Sequence, residues 1–368
     1  MKAKAVQSRL PQLDGIRGVA ILLVMLHNES GVYPSLHLEN IFANGWMGVD
    51  LFFVLSGFLI TGILLDSKDS ESYFRNFYAR RCLRIWPLYY SLIVLMFVII
   101  PAMHIAPASI VFEKSSPWWA YPLFLQTFLV AIPTNAAGPL GVTWSLAIEE
   151  QFYLLWPLVV RAFSPTQLRR LGISVICISP ALRLLLGSYH VNLYSNTFSR
   201  LDGLMAGALL ALVVRSANFA PSRFVKPAWI VFFIALTSAF VLEAVHARWI
   251  VYSLSAIASA CLIFLSLYSG QQWLQGVLRN RFLVYTGQIS YGLYLLHKLP
   301  FDLAEEFRID AHPLLMAVIL FAACYGMAAL SWNLLEMPFL RLKRLFEPKS
   351  VPAQRADRQL VVTGSANT

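Results

Sequence analysis

Long runs of apolar residues constrain the fold of this chain more than any other feature. A helix needs about 20 mostly apolar residues to cross the hydrocarbon core of a membrane, and such runs occupy most of the 368-residue sequence. Charged residues make up only 13% of it, about half of the usual share in soluble domains. We therefore predict an all-α, polytopic bundle of transmembrane helices. Ten spans are expected at about residues 12–30, 46–65, 86–104, 143–161, 170–187, 197–214, 227–245, 249–269, 283–300 and 313–335.

Two segments lie outside this pattern. Segment 117–133 is apolar, but it is short and prolines interrupt it. It is expected to form an interfacial or re-entrant element, with an eleventh span as the alternative. Segment 347–368 is polar and lacks apolar periodicity, so we predict a disordered cytoplasmic tail there. Residues 1–346 are then expected to form the transmembrane domain.

The distribution of basic residues predicts the orientation of the bundle. With the N-terminus inside, 22 of the 29 lysines and arginines lie in cytoplasmic segments and only four lie outside. Cytoplasmic loops of membrane proteins carry such an excess. Both termini are therefore expected in the cytoplasm, and the chain is expected to be a multi-pass protein of the cell membrane, typical of a bacterial inner membrane.

Composition and motifs exclude several other classes of protein. The net charge of +10 fits basic loops that face anionic membrane lipid, and no nucleic-acid recognition motif is present. The four cysteines form no Cys-x-x-Cys pair, so no metal site is predicted. The sequence has neither a Gly-x-Ser-x-Gly turn nor a glycine loop for nucleotide phosphates, which argues against a serine hydrolase and an ATP-driven pump.

The first span carries two groups of polar residues. Asp14 and Arg17 lie at its inner end, and His27 and Asn28 lie further along. A rise of about 1.5 Å per residue puts His27 roughly 15 Å above Arg17, near the middle of the membrane. A neutral imidazole at that depth is a candidate general base. The alternative is a histidine that is hydrogen-bonded to a neighbouring helix.

The fourth span contains two adjacent carboxylates in the run WSLAIEEQFY, residues 144–153. Adjacent residues of a helix point about 100° apart, so Glu149 and Glu150 are expected to face different surroundings. Glu149 either orients an imidazole or forms a buried ion pair with an arginine within the membrane; the residues alone leave both alternatives open.

Two further groups of charged residues stand out. Arg80, Arg81 and Arg84 lie at the cytoplasmic end of the third span, where they suit phosphate groups, although positive-inside anchoring is the simpler explanation from the residues alone. Arg200 and Asp202 enter the sixth span together and are expected to neutralise one another. His297 ends the ninth span and is expected near the outer surface.

Seven segments together resemble the acyltransferase-3 family of membrane acyltransferases, and they occur in the family's order. They are LDGIRGVAILLVMLHN (13–28), GVDLFFVLSGFLITGILL (48–65), YARRCLRIWPLYY (78–90), WSLAIEEQFYLLWP (144–157), SRLDGLMAGALLA (199–211), ISYGLYLLH (289–297) and LEMPFLRLKRLF (335–346). The resemblance implies a bundle of about ten helices that uses cytoplasmic acyl-CoA, typically acetyl-CoA, as a co-substrate without a permanently bound cofactor. It also implies a carbohydrate acceptor, such as lipopolysaccharide, exopolysaccharide or a lipid-linked sugar, and O-acetylation as the reaction.

The resemblance also assigns site residues, with one departure. The family's arginine and histidine on the first helix fall on Arg17 and His27, but nine residues separate them here instead of ten, and Asn28 occupies the usual histidine position. Either a bulge or a rotation of the helix brings His27 into the cavity, which we favour, or Asn28 faces it and the base lies elsewhere. The family's remaining motif residues fall on Arg80, Arg81, Arg84, Trp144, Ser145, Leu146 and Glu149.

We therefore expect His27 to be the base, with Arg17 and Glu149 setting its orientation and charge, and the three arginines to hold the phosphates of CoA. A transporter or flippase of a lipid-linked sugar is the alternative function. Some members of the family carry an additional esterase-like domain; this chain is expected either to complete the transfer alone or to hand its product to a separate partner protein in place of that domain. The sequence leaves open the acceptor, the acyl chain and whether a covalent intermediate forms. Residues expected to support the substrate or the structure are Asp14, Asn28, Trp144, Ser145, Glu150, Arg200 and Asp202.

Overall fold

The computed structural model describes residues 10–29, 41–104, 117–129, 138–189, 191–307 and 312–346. Within these ranges the regular structure is helical and includes no strand, as predicted. The main helices are α1 (Pro11–Glu29), α2 (Met47–Asp66), α3 (Tyr73–Val94), α4 (Thr143–Ala162), α5 (Pro165–Ser188), α6 (Thr197–Val214), α7 (Pro221–Ala244), α8 (Arg248–Tyr268), α9 (Gln272–Leu278), α10 (Arg281–Gln288), α11 (Ser290–Leu296), α12 (Lys298–Glu306), α13 (Pro313–Ser331) and α14 (Met337–Leu342).

Two of these helices continue through wider turns. A π-helical turn, Leu95–Ile99, joins α3 to a last helical turn at Ile100–Met103. A second π-helical turn, Trp332–Glu336, joins α13 to α14, and the 3₁₀ turn Lys343–Phe346 follows. Short helical pieces lie between α3 and α4, at Trp118–Ala120, Gln126–Leu129 and Gly138–Val142.

Seven helices in the described part of the chain are long and apolar enough to cross a membrane, and each coincides with one of the ten predicted spans. The chain is therefore a multi-pass membrane protein by its helices. Two further predicted spans correspond to α1 and α4, which have 19 and 20 residues but carry charged side chains. The number of crossings and the orientation stay predictions. The seven helices are Met47–Asp66, Tyr73–Met103, Pro165–Ser188, Thr197–Val214, Pro221–Ala244, Arg248–Tyr268 and Pro313–Phe346.

The predicted span 283–300 is not one continuous helix. The structure divides this region into α10, α11 and α12, with breaks at Ile289 and His297. Pro300 explains the second break, because proline lacks the N–H that would bond to the carbonyl of Leu296 and its ring crowds that carbonyl. The region therefore follows α1 as three short helices.

Close backbone contacts hold the helices that surround the polar interior. A Cβ atom on Gly287 of α10 would lie 1.8 Å from the carbonyl oxygen of Asp14 on α1. A Cβ atom on Gly207 of α6 would lie 1.9 Å from the carbonyl oxygen of Val54 on α2. The backbones of α6 and α2 therefore approach closely at Gly207, where a larger residue would not fit.

Segment 117–129, the described part of 117–133, contains no helix of membrane length. It packs instead against α3 and α4. The hydroxyl of Tyr89 donates to the carbonyl of Tyr121 over 2.8 Å, and the amide of Gln126 donates to the carbonyl of Thr143 over 3.3 Å. Residues 130–133 and the predicted tail 347–368 lie outside the described residues.

Candidate active site

Basic side chains from three parts of the chain meet at the end of the bundle where α1 begins. Arg17 lies one turn after Asp14 on α1 and pairs with its carboxylate over 2.6 Å. The charge of Arg17 also acts directly on Arg84 of α3. Lys343, in the last helical turn, is within electrostatic reach of Arg80, Arg81, Arg84 and Arg17. We call Arg17, Arg80, Arg81, Arg84 and Lys343 the cation cluster.

The structure brings the three predicted arginines together, though not at the start of their helix. They lie within α3, which begins at Tyr73, and all three are partly buried. Arg81 lies over the rings of Phe77 and Tyr153, 5.8 and 5.7 Å from their centroids. This packing holds the guanidinium of Arg81 between α3 and α4.

The sequence analysis did not predict that Lys343 and Glu336 lie in the region of the cation cluster. Glu336 ends the π-helical turn after α13, is buried, and acts electrostatically on Arg84. Both residues belong to the run LEMPFLRLKRLF, which carried the family resemblance. Their placement beside α3 depends on contacts between distant parts of the chain, which the run alone does not reveal.

Glu149 faces the cation cluster. The hydroxyl of Tyr153 donates to Glu149 over 2.9 Å and also bonds to Ser56 of α2. The carboxylate interacts electrostatically with Arg81 and Arg84. Both alternatives for Glu149, a buried ion pair and the orientation of an imidazole, stay predictions.

Glu150 faces a different side of α4, as the adjacent positions predict. Its carboxylate accepts a hydrogen bond of 3.3 Å from the indole of Trp86 on α3. Trp86 is exposed at the surface of the bundle. Glu150 therefore links α4 to α3 beside the cluster, whereas Glu149 points into it.

Polar contacts continue from Glu149 along the interior face of α4. The hydroxyls of Ser145 and Tyr294 are 2.5 Å apart, and that of Tyr294 donates to the carbonyl of Val142 over 3.0 Å. Tyr294 interacts electrostatically with both Glu149 and Arg200. Tyr294 of α11 therefore lies between the cation cluster and the far half of the bundle.

The far end of α1 places His27 and Asn28 in different surroundings. Helix α1 is α-helical throughout, so eleven steps from Arg17 bring Asn28 back to nearly the same face. The amide of Asn28 lies 3.0 Å from Nε2 of His297. His27 instead places its Nδ1 3.0 Å from the carbonyl oxygen of Phe42, in the segment before α2. His27 as the base stays a prediction.

His297 has a fully buried side chain, with 0% exposure. It lies against Asn28 near the far end of α1, and only this tertiary contact reveals the burial. Its place near the outer surface of the membrane stays a prediction.

The expected neutralisation of Arg200 by Asp202 is wrong. Arg200 pairs with Asp50 of α2, and Asp202 pairs with Arg183 of α5 over 2.9 Å. Residues two apart on a helix face different sides, so each finds its partner on another helix. Sequence reasoning missed Asp50 and Arg183, although their positions as lone charges in apolar spans were a signal that each needed an opposite charge.

Aromatic rings enclose the buried guanidinium of Arg200. It lies 4.1 Å from the ring centroid of Tyr252 and 5.9 Å from that of Trp144. Tyr194 and Phe53 complete the enclosure at 5.3 and 5.7 Å. Trp144, one of the motif residues, is thus placed where it packs against a buried cation.

No group of three or more metal-ligating side chains occurs among the residues that the structure describes. The site therefore consists of a cation cluster at one end, a hydroxyl pair in the middle and a buried imidazole at the other end. Such an arrangement suits the binding of an anion at one end and proton transfer at the other.

Comparison with known proteins identifies the family of the chain. The model of a family described as an acyltransferase domain matches residues 10–333, nearly the whole described part of the chain. The chain belongs to the acyltransferase-3 family. No solved structure matches this acyltransferase-3 protein.

Several relatives of this acyltransferase-3 protein are named as O-acetyltransferases. The peptidoglycan O-acetyltransferase OatA of Listeria monocytogenes is 28% identical over 89% of the chain, and YrhL of Bacillus subtilis, provisionally named as a peptidoglycan O-acetyltransferase, is 30% identical over 89%. A provisionally named O-acetyltransferase of Staphylococcus aureus (strain COL) is 28% identical over 93%. The chain spans 55%, 54% and 60% of the length of these three relatives.

Proposed function

We propose that this acyltransferase-3 protein moves an acetyl group from cytoplasmic acetyl-CoA to a hydroxyl group of peptidoglycan. The family supports acyl transfer, and the names of the relatives support an O-acetyl product on a cell-surface carbohydrate. The observation that carries the proposal is the cation cluster, since a site of this charge needs an anionic ligand.

The charge balance of the cluster supports an anionic donor. Five cations lie together, and four carboxylates act on them within the described residues: those of Asp14, Glu149, Glu150 and Glu336. Like charges in partly buried positions repel one another strongly, because a protein interior screens them less than water does. Bound phosphates remove this repulsion and accept paired hydrogen bonds from guanidinium groups.

The predicted topology supports CoA as the carrier of these phosphates. The excess of basic residues favours a cytoplasmic position for the end of α1 that holds Arg17, and the cytoplasm is where CoA thioesters occur. The phosphates would bind at the cluster, and the thin thiol-bearing arm would extend along the interior face of α4 toward Tyr294. In the reaction, the acceptor oxygen attacks the thioester carbonyl carbon and the C–S bond breaks, which releases CoA as a thiol.

The proposal is tested with purified full-length protein in detergent micelles. Acetyl-CoA labelled in the acetyl group is supplied with soluble peptidoglycan fragments, and acetate released from the glycan by mild alkali is counted. We expect label in the glycan that depends on both the protein and the acceptor. Binding of acetyl-CoA without any transfer to the fragments would refute peptidoglycan as the acceptor, and neither binding nor transfer would refute the reaction.

The same preparation tests the alternative function. A flippase or transporter of a lipid-linked sugar would move a labelled lipid-linked sugar across liposomes without consuming acetyl-CoA. We expect no such movement above that of empty liposomes. Movement without formation of an ester would refute the acyltransferase proposal.

A further inference from the structure

The buried imidazole of His297 has a defined hydrogen-bonding pattern. Its Nδ1 lies 3.1 Å from the carbonyl oxygen of Leu293 and 2.9 Å from that of Tyr294. Carbonyl oxygens only accept hydrogen bonds, so the proton of the neutral ring belongs on Nδ1. The lone pair is then on Nε2, where it accepts from the amide of Asn28 over 3.0 Å.

We propose that His297, and not His27, is the general base of the acyl transfer, and that Asn28 occupies the position of the attacking hydroxyl when no acceptor is bound. This inference rests on the proposed function. Its basis is the contact between Asn28 and His297, which presents the basic nitrogen of a buried ring to a donor group on the interior face of α1.

The position of Asn28 connects this imidazole to the donor site. Arg17 and Asn28 are eleven residues apart on one regular helix, so they share a face and are separated by about 16 Å along it. The amide of Asn28 reaches His297 from this shared face. His27, one residue earlier, points about 100° away and contacts the carbonyl of Phe42.

Contacts on α11 lead to the same imidazole ring from the donor side. Tyr294 lies one turn before His297, and their ring centroids are 6.1 Å apart. The hydroxyl of Tyr294 contacts Ser145, one turn of α4 away from Glu149 at the cation cluster. A chain of polar side chains thus runs from the cluster to His297, whereas the contact described for His27 points to the segment before α2.

Access to Nε2 is from the side of Asn28. His297 itself is fully buried, but Asn28 is only partly buried, and its amide is held by a hydrogen bond that a hydroxyl group can replace. Glu29 also faces this nitrogen, with Oε1 at 3.8 Å. An acceptor hydroxyl that displaces the amide of Asn28 would donate its hydrogen bond to the same lone pair.

The proposed step balances in atoms and charge. The acceptor O–H transfers its proton to Nε2 as the oxygen bonds to the thioester carbonyl carbon. The C–S bond then breaks, its electron pair leaves with sulfur, and the sulfur takes the proton from Nε2. The products are the O-acetyl ester and free thiol, and the imidazole returns to its starting state with the proton on Nδ1.

The test compares asparagine variants of three histidines in the purified full-length protein. His297→Asn keeps an N–H donor near the position of Nδ1 but lacks the basic Nε2. We expect its kcat to fall by about 10²–10⁴, the usual contribution of a general base, with an unchanged KM for acetyl-CoA and an unchanged Tm. His27→Asn is the rival variant, and His312→Asn replaces an exposed histidine as the control.

The outcomes separate the inference from the proposed function. An active wild type together with a His297→Asn variant of normal kcat would overturn the inference alone, and a loss of kcat confined to His27→Asn would return the assignment to His27. A wild type that transfers no acetyl group to any glycan would overturn the proposed function and the inference with it. A lower Tm or a higher KM without a change in kcat would show a structural role and would also contradict the inference.

An exchange of the two partners provides a second measurement. The double variant Asn28→His/His297→Asn places an imidazole on the other side of the same 3.0 Å contact. We expect it to recover at least tenfold of the kcat that His297→Asn loses, because a base is again present at the position of the attacking hydroxyl. A folded double variant as slow as the single variant would contradict this shared position.

Discussion

Arg84 provides a sharp test of the donor site, because its charge acts on groups of the site that come from three parts of the chain. It interacts electrostatically with Arg17, Glu149, Glu336 and Lys343. We predict that Arg84→Ala raises the KM for acetyl-CoA while leaving the KM for the glycan unchanged. The reason is the loss of one charged partner for a phosphate group.

The magnitude follows from the partly buried position of the side chain. A hydrogen bond to a charged group contributes about 1.5–3 kcal/mol, and access of water reduces this to the lower end of the range. Because about 1.4 kcal/mol corresponds to a factor of ten, the KM should rise roughly tenfold. The salt dependence of donor binding should also weaken, since one screened contact is lost.

The thermal stability of the donor-free protein should not fall in this variant. Arg84→Ala removes one of five mutually repelling cations, so its Tm without donor should stay unchanged or rise. A role in anchoring the helix predicts a lower yield of inserted protein and an unchanged KM instead. Arg84→Lys separates the two explanations further, because lysine keeps the charge but cannot donate the paired hydrogen bonds of a guanidinium; we expect only partial recovery of the KM.

The matched control is Arg75→Ala on the same helix. Arg75 is exposed and lies over the ring of Phe346, 5.7 Å from its centroid, so its loss should leave the KM for acetyl-CoA unchanged. Kinetics on quantified protein at several salt concentrations provide the readout. Unchanged donor KM values in alanine variants of Arg81, Arg84 and Lys343 would refute the proposed docking of CoA.

Three further predictions concern stability, packing and topology. Asp202→Ala leaves Arg183 buried without its ion-pair partner and should cost about 3–5 kcal/mol, seen as a lower Tm; a Tm within 1 °C of the wild type would contradict this role. Gly287→Ala should abolish the folded protein in size-exclusion chromatography because of its 1.8 Å clash with a carbonyl of α1, whereas Gly276→Ala, with nothing within 4 Å, should not. A reporter that is active only in an oxidising compartment should be inactive after Thr368, and activity would indicate an odd number of crossings.

The apolar spans were predictable because their signal is local. Seven predicted spans coincide with helices of membrane length and composition, since each needs only an uninterrupted run of apolar residues. The break of the ninth predicted span was less visible. Pro300 gave a local reason for the break at His297, but only the contacts with α1 show where the three short helices lie.

The members of the site were predictable one by one, and their partners were not. A lone charge in an apolar run indicates that an opposite charge must be near, but many positions of the chain satisfy that condition. Arg200 pairs with Asp50, which is 150 residues away in the sequence. Asn28 contacts His297, which is 269 residues away in the sequence. Such pairs depend on how the helices pack, which the periodicity of each helix does not specify.

The proposed base follows from two observations: the unusual spacing of polar residues on α1 and the contact between Asn28 and His297. The spacing on α1 is a property of the sequence, and a regular helix turns Asn28 rather than His27 toward the face of Arg17. Asparagine cannot accept a proton at neutral pH, so this face of α1 needs a base from another element if proton transfer occurs there. His297 supplies one, because its ring lies against the amide of Asn28. Asn28 and His297 therefore form one functional unit. Variants at either position should be interpreted together.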